Sequence, residues 1–460
     1  MRWCRRCATT SATRSPRRAR RNRRSSATAR AERAAALARP AASPMMRRVT
    51  AAAPDRRRAV LAWSLYDLAN TVFFLLVATR YFPEHLAEQS GGETALAWAS
   101  IPAMLAAALL SPALGAIVDR AGGARRLALA FTVVCCAATL LLSAIDSPAL
   151  LIACFAVGRF AYEMAAVPYN ALLPALAGAD GVGRVSGLGV GLGYLGNLFA
   201  FGALALLGLD PKRDGYGVVY GFATLLFVLF SLPLRICVPE LAAPAGAPRG
   251  VALLRDAFRD GFAALRRQLA PRDRRLFFLG VFFACDAVNT VLMQVARYAA
   301  QPAGLGFDGA GVNSFLIGVQ LSCIVGGIAF GRLSDRRGGR CASLLAVLFL
   351  FVAFALAQFA PWSPLRVGAI ATLGGAGLAG IWAATRHWLI ELVPAREQGE
   401  AFGVYGLVQR ASMLTLWPFT ALFDRSVAAG APSYAGSVAL LLLALLLGGA
   451  CFMRASPRAA

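Results

Sequence analysis

Two short stretches decide the fold: residues 331–340 read GRLSDRRGGR and residues 115–126 read GAIVDRAGGARR. Each begins with a glycine and carries an Asp-Arg pair four residues later, at the end of a long apolar run. The aspartates of the two pairs, Asp119 and Asp335, are 216 residues apart. A basic motif that recurs in this way indicates that the second half of the chain repeats the first.

Two other pairs of positions support the duplication. Residues 67–72 read DLANTV and residues 286–291 read DAVNTV, at an offset of 219. Pro174 and Pro394 end two further apolar runs at an offset of 220. Because the three offsets are nearly equal, the sequence predicts two similar halves that face each other across a central cavity.

The composition places the protein in a membrane. Of its 460 residues, 58% are hydrophobic and 15% are charged, and the mean hydropathy is +0.60, which excludes a soluble globular protein. The formal net charge of +24 would suit a nucleic-acid partner. Most of the arginines outside the N-terminal segment, however, lie in short gaps between apolar runs. We therefore expect contact with a lipid bilayer and no nucleic acid.

Apolar runs give the number of spans, and arginine placement gives their orientation. A helix needs about 20 apolar residues to cross a bilayer. The sequence meets this requirement at residues 59–82, 95–118, 127–145, 149–174, 184–208, 216–237, 276–299, 311–333, 341–360, 366–392, 400–423 and 435–453. With the N-terminus inside, the inner segments from Arg47 onward hold 24 arginines, whereas the outer gaps hold only Lys212, Arg213 and Arg425. This asymmetry predicts cytoplasmic termini in a multi-pass protein, which we expect in a bacterial inner membrane.

The predicted fold is an all-α integral membrane protein with twelve transmembrane helices in two pseudo-symmetric six-helix halves. The halves are residues 59–237 and 276–453, joined by a cytoplasmic linker, residues 238–275, and followed by a cytoplasmic tail, residues 454–460. In the linker a Pro/Gly-rich stretch precedes a basic amphipathic helix. Its apolar residues recur at helical spacing at Val251, Leu254, Phe258, Phe262 and Leu265.

The N-terminal segment, residues 1–58, is basic and is expected to be disordered. Residues 1–44 hold thirteen arginines, one acid and no apolar core, which excludes a secretory signal. Three interpretations stay open: a start assigned upstream of the true one at Met45 or Met46, an organellar transit peptide, and a polybasic tail on anionic lipid. We expect residues 1–44 to be dispensable for insertion.

Charged side chains inside the spans are the candidate functional residues. A charge in hydrocarbon costs at least about 2.5–3.5 kcal/mol, so these groups need a partner, a wet cavity or a function. Asp67 and Asp286 occupy equivalent positions in the two halves, each with an asparagine three residues later on the same helix face. Such a pair can bind a cation or an amino group, or exchange a proton. The candidate substrate or coupling residues are Asp67, Asn70, Arg159, Glu163, Tyr169, Asn170, Asp286, Asn289, Arg386, His387 and Arg410.

Structural ion pairing is the simpler interpretation of part of this set. Arg159 and Glu163 are four residues apart, as are His387 and Glu391, so each pair can neutralise buried charge on one helix. The two aspartates can likewise be fixed partners of arginines such as Arg159 or Arg410.

With these residues in view, residues 59–453 resemble the major facilitator superfamily of transporters, through the six-plus-six plan and the signature G-x-x-x-D-[RK]-x-G-x-[RK]-[RK]. The copy at 331–340 fits well, and the copy at 115–126 has one extra residue before its last two arginines. Several segments resemble the branch of the fungal vacuolar amino-acid effluxers of autophagy and their bacterial relatives. They include WSLYDLANTVF (63–73), VPYNALLPALA (167–177), SGLGVGLGYLGN (186–197), SLPLRICVPE (231–240), ATRHWLIELVP (384–394) and EAFGVYGLVQR (400–410). Leu68 and Thr71 replace the Trp and Ser that are usual in that branch.

The resemblance implies a secondary transporter that moves a small polar solute, of amino-acid type, by alternating access with H+ or another coupling ion. It also implies an inner gate, in which Asp119 faces the helix start near Gly399 and Asp335 the helix start near Gly183. A loop Asp-Arg pair that only fixes topology is the alternative. The candidate gating residues are Gly115, Asp119, Arg120, Gly331, Asp335 and Arg336.

Other functions are disfavoured by missing motifs. A non-transporting receptor or scaffold on the same fold is the alternative function, and an integral-membrane enzyme comes third because no HExxH or GxSxG motif occurs. The single lysine, Lys212, excludes a Walker A motif, so energy is expected from a gradient. The glycine run at 187–196 follows no strand, which favours close helix packing over dinucleotide binding. Cys4 and Cys7 form a CxxC with no second half and no nearby histidine, so we expect no metal and no cofactor.

Overall fold

The computed structural model describes residues 53–90, 93–178, 181–241, 250–359, 361 and 363–456, and the regular structure in these residues is helical. Contacts separate residues 1–50 from the unit Ala51–Ala460, to which every helix named below belongs. The predictions for residues 1–52, including Cys4 and Cys7, and for residues 457–460 lie outside the described residues.

The helices follow the two halves and the linker. Those of the first half are α1 (Ala53–Val72), α2 (Phe82–Ser90), α3 (Glu93–Ala121), α4 (Ala124–Leu141), α5 (Pro148–Ala177), α6 (Val182–Leu206), α7 (Pro211–Asp214) and α8 (Tyr216–Cys237). A π-helical stretch, Phe73–Tyr81, joins α1 to α2, and the linker helix is α9 (Gly250–Leu269). Those of the second half are α10 (Arg272–Ala300), α11 (Gly309–Arg337), α12 (Gly339–Phe359), α13 (Pro364–Leu392), α14 (Gln398–Ala411), α15 (Leu416–Ala428) and α16 (Ala435–Arg454).

Eleven helical stretches of the described residues are long and apolar enough to cross a membrane. The predicted all-α membrane fold is confirmed, but the prediction of one continuous helix over residues 400–423 is wrong. That span is divided into α14 and α15, because residues 412–415 are not helical. Each piece alone is too short to cross a bilayer, which needs about 20 residues.

The Asp-Arg signatures belong to helices rather than to loops. The predicted spans end at residues 118 and 333, whereas α3 continues to Ala121 and α11 to Arg337. Each helix ends at a glycine with positive φ, Gly122 at 66° and Gly338 at 84°. Only glycine adopts this conformation without strain, so these residues stop the helices just after their basic last turns.

Each half has its own hydrophobic core. In the first, Trp63 of α1 stacks on Tyr169 of α5 with ring centroids 4.5 Å apart. In the second, Trp388 of α13 lies edge to face between Phe277 and Phe452, at 5.1 and 5.2 Å. Aromatic pairs of this kind add about 0.5–1.5 kcal/mol beyond the area that they bury. The two cores let each half keep its internal packing if the contact between the halves changes.

The linker helix α9 touches both halves. A Cβ at Gly261 would lie 3.1 Å from Ala113 of α3, so the two helices pack closely. At its other end Arg267 donates to Glu400 of α14 at 2.8 Å. Leu265 packs against the second core. The other apolar side chains predicted for this helix lie outside the described ones: Val251, Leu254, Phe258 and Phe262.

Candidate functional site

A buried cluster of three charges joins the two halves in the middle of the spans. On α5, Arg159 Nη2 lies 2.8 Å from Glu163 Oε1. From α14, Arg410 Nε lies 2.8 Å from Glu163 Oε2, and another nitrogen of Arg410 donates to the Glu163 carbonyl. Arg410 also donates to Ser111 Oγ of α3 at 3.0 Å. The side chains of these three ions are at most 13% exposed, so Glu163 neutralises buried charge from both halves.

A second ion pair crosses the same interface. Asp67 of α1 and Arg386 of α13 face each other with Oδ2 and Nη1 3.6 Å apart. This distance is too long for a hydrogen bond, and Nε and Nη1 of Arg386 have no hydrogen-bond partner in the described part of the chain. The pair is therefore looser than the Glu163 cluster, and its donors are available to another group.

The two sets together carry an excess of positive charge, since three arginines face two carboxylates. A third arginine nitrogen, Nη1 of Arg159, is also buried without a partner within the described residues. Among acceptors, the amide oxygens of Asn70 and Asn170 are buried and unpartnered there. Buried polar groups normally find a partner, so this surplus of donors and acceptors makes the region the candidate site for a polar solute.

Some of the predicted site residues make contacts that differ from the predicted ones or lie outside the central ion pairs. Asp67 pairs with Arg386, not with the arginines suggested from the sequence. Tyr169 is 1% exposed and donates its hydroxyl to the Trp63 carbonyl at 3.2 Å, so in this structure it holds α5 to α1. His387 lies away from the central ion pairs, with Nδ1 3.9 Å from Asp335. Glu391 caps α12, since its Oε2 accepts from the Gly339 backbone at 3.0 Å.

Asp286 and Asn289 contact the break between α14 and α15. Asp286 is 1% exposed, and its Oδ1 accepts a hydrogen bond from the Thr415 backbone at 3.0 Å. Asn289 Nδ2 donates to the carbonyls of Gln409 and Ser412 at 3.2 and 3.0 Å. Backbone groups freed by a helix break must be satisfied inside a membrane, and these two side chains satisfy three of them. A coupling role for Asp286 and Asn289 stays a prediction.

We expect Asp286→Leu to lower the free energy of unfolding by about 1.5–3 kcal/mol, the contribution of a hydrogen bond to a charged group. Asp286→Asn is expected to lose less, because its amide oxygen still accepts from Thr415. Thermal unfolding of the purified protein measures both, with Asp424→Asn on α15, whose side chain is 62% exposed, as the control. Unchanged unfolding of Asp286→Leu would show that the break needs no cap.

Asp335 and Asp119 cap helices of the opposite half, at the positions that the resemblance implied. Asp335 accepts from the backbone nitrogens of Gly183 and Arg184 at the start of α6, at 2.7 and 3.0 Å. Asp119 accepts from those of Gly399 and Glu400 at the start of α14, both at 2.8 Å. Each carboxylate lies at a helix N-terminus, where the dipole and the free N–H groups favour negative charge.

Glycines bring the helices together at both contacts. A Cβ at Gly115 would lie 2.2 Å from the Gly399 carbonyl, and one at Gly331 would lie 2.4 Å from the Gly183 carbonyl. Such distances leave no room for a side chain, so all four positions need glycine for the observed approach. The run predicted to pack closely does so as well, with Gly187 against Gly327. The two halves therefore meet tightly at the end that carries Asp119 and Asp335, which we call the gate end.

The arginines of the two signatures differ in their exposure. Arg120 is partly buried in the last turn of α3. Arg336 is exposed on α11 and makes no ion pair or hydrogen bond with the described residues. Its predicted gating role is untested.

We expect Asp335→Asn and Asp119→Asn to open the gate end. An amide keeps one acceptor oxygen but turns an N–H group toward the helix start, so each variant loses a charge-assisted hydrogen bond. Ser186 of α6 is fully buried against α13 and can be replaced by cysteine as a reporter. Labelling of residue 186 by a water-soluble maleimide, measured by peptide mass spectrometry, should increase severalfold. Equal labelling in the parent and in both variants would refute gating; Asp256→Asn in α9 is the control.

The sequence did not predict the break in the eleventh span. It also did not predict that Ser111 accepts from Arg410 or that the Gln409 carbonyl accepts from Asn289. Pro418 was a usable signal, because it stands in the first turn of α15, where proline is tolerated and a continuous helix is not. Ser111 and Gln409 had no such signal, since their role depends on which helices become neighbours.

Comparison with known proteins agrees with this architecture. A family model described as the Major Facilitator Superfamily matches residues 59–418. An uncharacterized MFS-type transporter, YxiO of Bacillus subtilis (strain 168), is 26% identical over 364 residues, which are 75% of this chain and 83% of that protein.

Two solved structures share the fold. A bacterial homologue of the iron transporter ferroportin in an outward-facing state has a TM-score of 0.67 and 16% identity, over 88% of this chain and all of that chain. The proton:xylose symporter XylE has a TM-score of 0.62 and 15% identity, over 88% of this chain and 95% of that chain. With the family match covering most of its length, the chain belongs to the Major Facilitator Superfamily, a family of membrane transporters.

Proposed function

We propose that the protein moves a small zwitterionic solute of the amino-acid class across the membrane by alternating access, driven by a proton or another ion gradient. The observation that carries the proposal is the loose pair of Asp67 and Arg386, which spans the two halves at 3.6 Å without a hydrogen bond. A solute that bears both charges can insert into such a pair and satisfy both partners.

The chemistry of the pair matches both ends of an amino acid. Arg386 offers N–H donors without partners to a carboxylate, for which guanidinium geometry is well suited. The Asp67 carboxylate can accept from an ammonium group. The buried amide oxygens of Asn70 and Asn170 have no partner within the described residues and offer further acceptor capacity to a polar solute.

Alternating access also has a structural basis in the gate end. We place the gate end at the cytoplasm, following the arginine distribution of the sequence, so the structure corresponds to a state closed toward the cytoplasm. Opening toward the cytoplasm requires loss of the contacts of Asp119 and Asp335 with α14 and α6. Proton binding to Asp67 is the coupling step that we favour, because this carboxylate lacks a hydrogen-bonded partner among the described arginines.

Uptake into proteoliposomes tests the function. Uptake of labelled amino acids is measured with and without an imposed pH gradient. For each amino acid, uptake of its N-acetyl derivative and of its decarboxylated amine is measured in the same way. We expect gradient-dependent uptake of the zwitterion and at least tenfold less of either analogue. Empty liposomes and Asp424→Asn protein are the controls. Equal uptake of a zwitterion and its N-acetyl derivative would overturn the substrate class, and an absence of uptake for every solute would overturn the function.

A further inference from the structure

An apolar groove of about 770 Å³ lies between α11, α12 and α13. Leu321 and Val325 of α11 are 51% and 68% exposed in it, and Phe349 of α12 forms part of its wall. The other side of α11 faces α6, as the contact of Gly327 with Gly187 shows. The groove therefore opens on the outside of the bundle, toward lipid, and its size is that of a small-molecule site.

Two arginines stand at the gate end of this groove. Arg332 and Arg336 are one turn apart on α11, and both are exposed. Neither makes an ion pair or hydrogen bond with any described residue, and the lining residues include no acid. Arg332 stands five residues before the end of the helix, about 8 Å along its axis. A guanidinium this close to the helix end can extend to the membrane interface, where anionic headgroups lie.

The first half covers the equivalent surface with protein. At the offset of 216 that relates the signatures, Ala329 in the groove corresponds to Ala113, and Gly261 of α9 packs against Ala113. Arg332 corresponds to Ala116, which is fully buried. The repeated fold therefore does not require an arginine here. The second half has an open groove with two arginines that pair with none of the described residues, where the first half has a helix.

We propose that this groove binds an anionic phospholipid, with its phosphate between Arg332 and Arg336 and its acyl chains along Leu321, Val325 and Phe349. Basic pockets between helices on the cytoplasmic side are suited to anionic headgroups. The N-terminal segment of the chain is a poor occupant, because residues 1–44 carry thirteen arginines and one acid and would be repelled by the same two side chains.

Native mass spectrometry of the detergent-solubilised full chain tests this assignment. Phosphatidylglycerol and phosphatidylcholine with identical acyl chains are titrated separately, and affinity is read from the bound fractions. A basic residue that faces the bound anionic headgroup contributes about fivefold to binding. We expect phosphatidylglycerol to bind at least tenfold more tightly than phosphatidylcholine. Arg332→Gln should weaken it by about fivefold, and the double variant with Arg336→Gln by about 25-fold.

Two further variants distinguish binding of the lipid headgroup by the arginines from binding of the acyl chains in the groove. Arg337→Gln changes an exposed arginine that does not line the groove, and should leave affinity within about twofold of the parent. Val325→Trp fills the groove and should expel both lipids while both groove arginines remain. If Val325→Trp fails to fold, the arginine variants decide alone, because they change only exposed side chains.

Four results would overturn the proposal. They are equal binding of the two lipids, equal loss in Arg332→Gln and Arg337→Gln, and displacement of lipid by millimolar inorganic phosphate, which would indicate a site for a free anion. The fourth is a dimer of the delipidated protein that Val325→Trp abolishes, which would assign the groove to a second copy of the chain.

Discussion

Glu163→Gln is expected to abolish uptake and to give the largest loss of stability among changes in the central site. The substitution removes the only carboxylate that the structure shows between Arg159 and Arg410 in the described part of the chain. Two guanidinium groups, 8% and 7% exposed, would then face each other without compensation. Breaking a buried ion pair in this way costs about 3–5 kcal/mol. Thermal unfolding and proteoliposome uptake measure the two effects.

Two controls separate charge from packing. Glu163→Asp keeps the charge with a shorter side chain and should retain more stability than Glu163→Gln. The double variant of Glu163→Gln with Arg159→Gln relieves the repulsion from one side, so it should unfold at a higher temperature than Glu163→Gln alone. If Glu163→Gln unfolds and transports like the parent, the cluster carries neither the stability nor the function assigned to it.

The duplication could be predicted from the sequence because it rests on local patterns. Spacing of apolar residues places the spans, and the two Asp-Arg signatures mark equivalent helix ends. The gate contacts could be placed too, but only through the family resemblance, since nothing near Asp119 in the sequence indicates that Gly399 lies 2.8 Å away. Helix ends were less predictable, because α3 and α11 continue beyond the apolar residues that define a span.

The sequence does not predict which charged side chains pair across the interface between the two halves. The spans hold several arginines that could pair with Asp67, and helical spacing decides only pairs on one helix, such as Arg159 with Glu163. The pairing with Arg386 depends on how α1 and α13 approach each other across the interface. The break near Ser412 was hidden for a related reason. The side chains that stabilise it, Asp286 and Asn289, lie more than a hundred residues earlier in the chain.

The equivalent acids of the two halves therefore differ in their contacts. Asp286 accepts a backbone hydrogen bond, whereas Asp67 faces a loosely held arginine. Protonation of a carboxylate that accepts from a backbone amide removes the charge that strengthens this hydrogen bond, so the contact is weakened. A carboxylate 3.6 Å from a guanidinium can gain or lose a proton with less disturbance. We therefore expect coupling to reside in Asp67 and stability in Asp286.

Asp67→Asn is expected to fold, to lose gradient-driven uptake and to retain exchange of solute. The amide preserves size but cannot release a proton, so the step that links the gradient to movement is lost, while gating remains and solute binding is weakened. Solute affinity should fall by about 10–100-fold, since a hydrogen bond to a charged group contributes about 1.5–3 kcal/mol. The loss of thermal stability should be smaller than for Glu163→Gln, because the pair with Arg386 is not hydrogen-bonded.

Counterflow and pH-gradient uptake in the same proteoliposome preparation measure exchange and coupling separately. Asp424→Asn, an identical chemical change at an exposed position, is the matched control. Arg386→Gln should lose affinity for the zwitterion but keep the titratable acid, so any residual uptake should still depend on the pH gradient. Gradient-driven uptake by Asp67→Asn equal to that of the parent across a range of pH would remove Asp67 from coupling. A failure of Asp67→Asn to fold would make Asp67 a structural partner of Arg386.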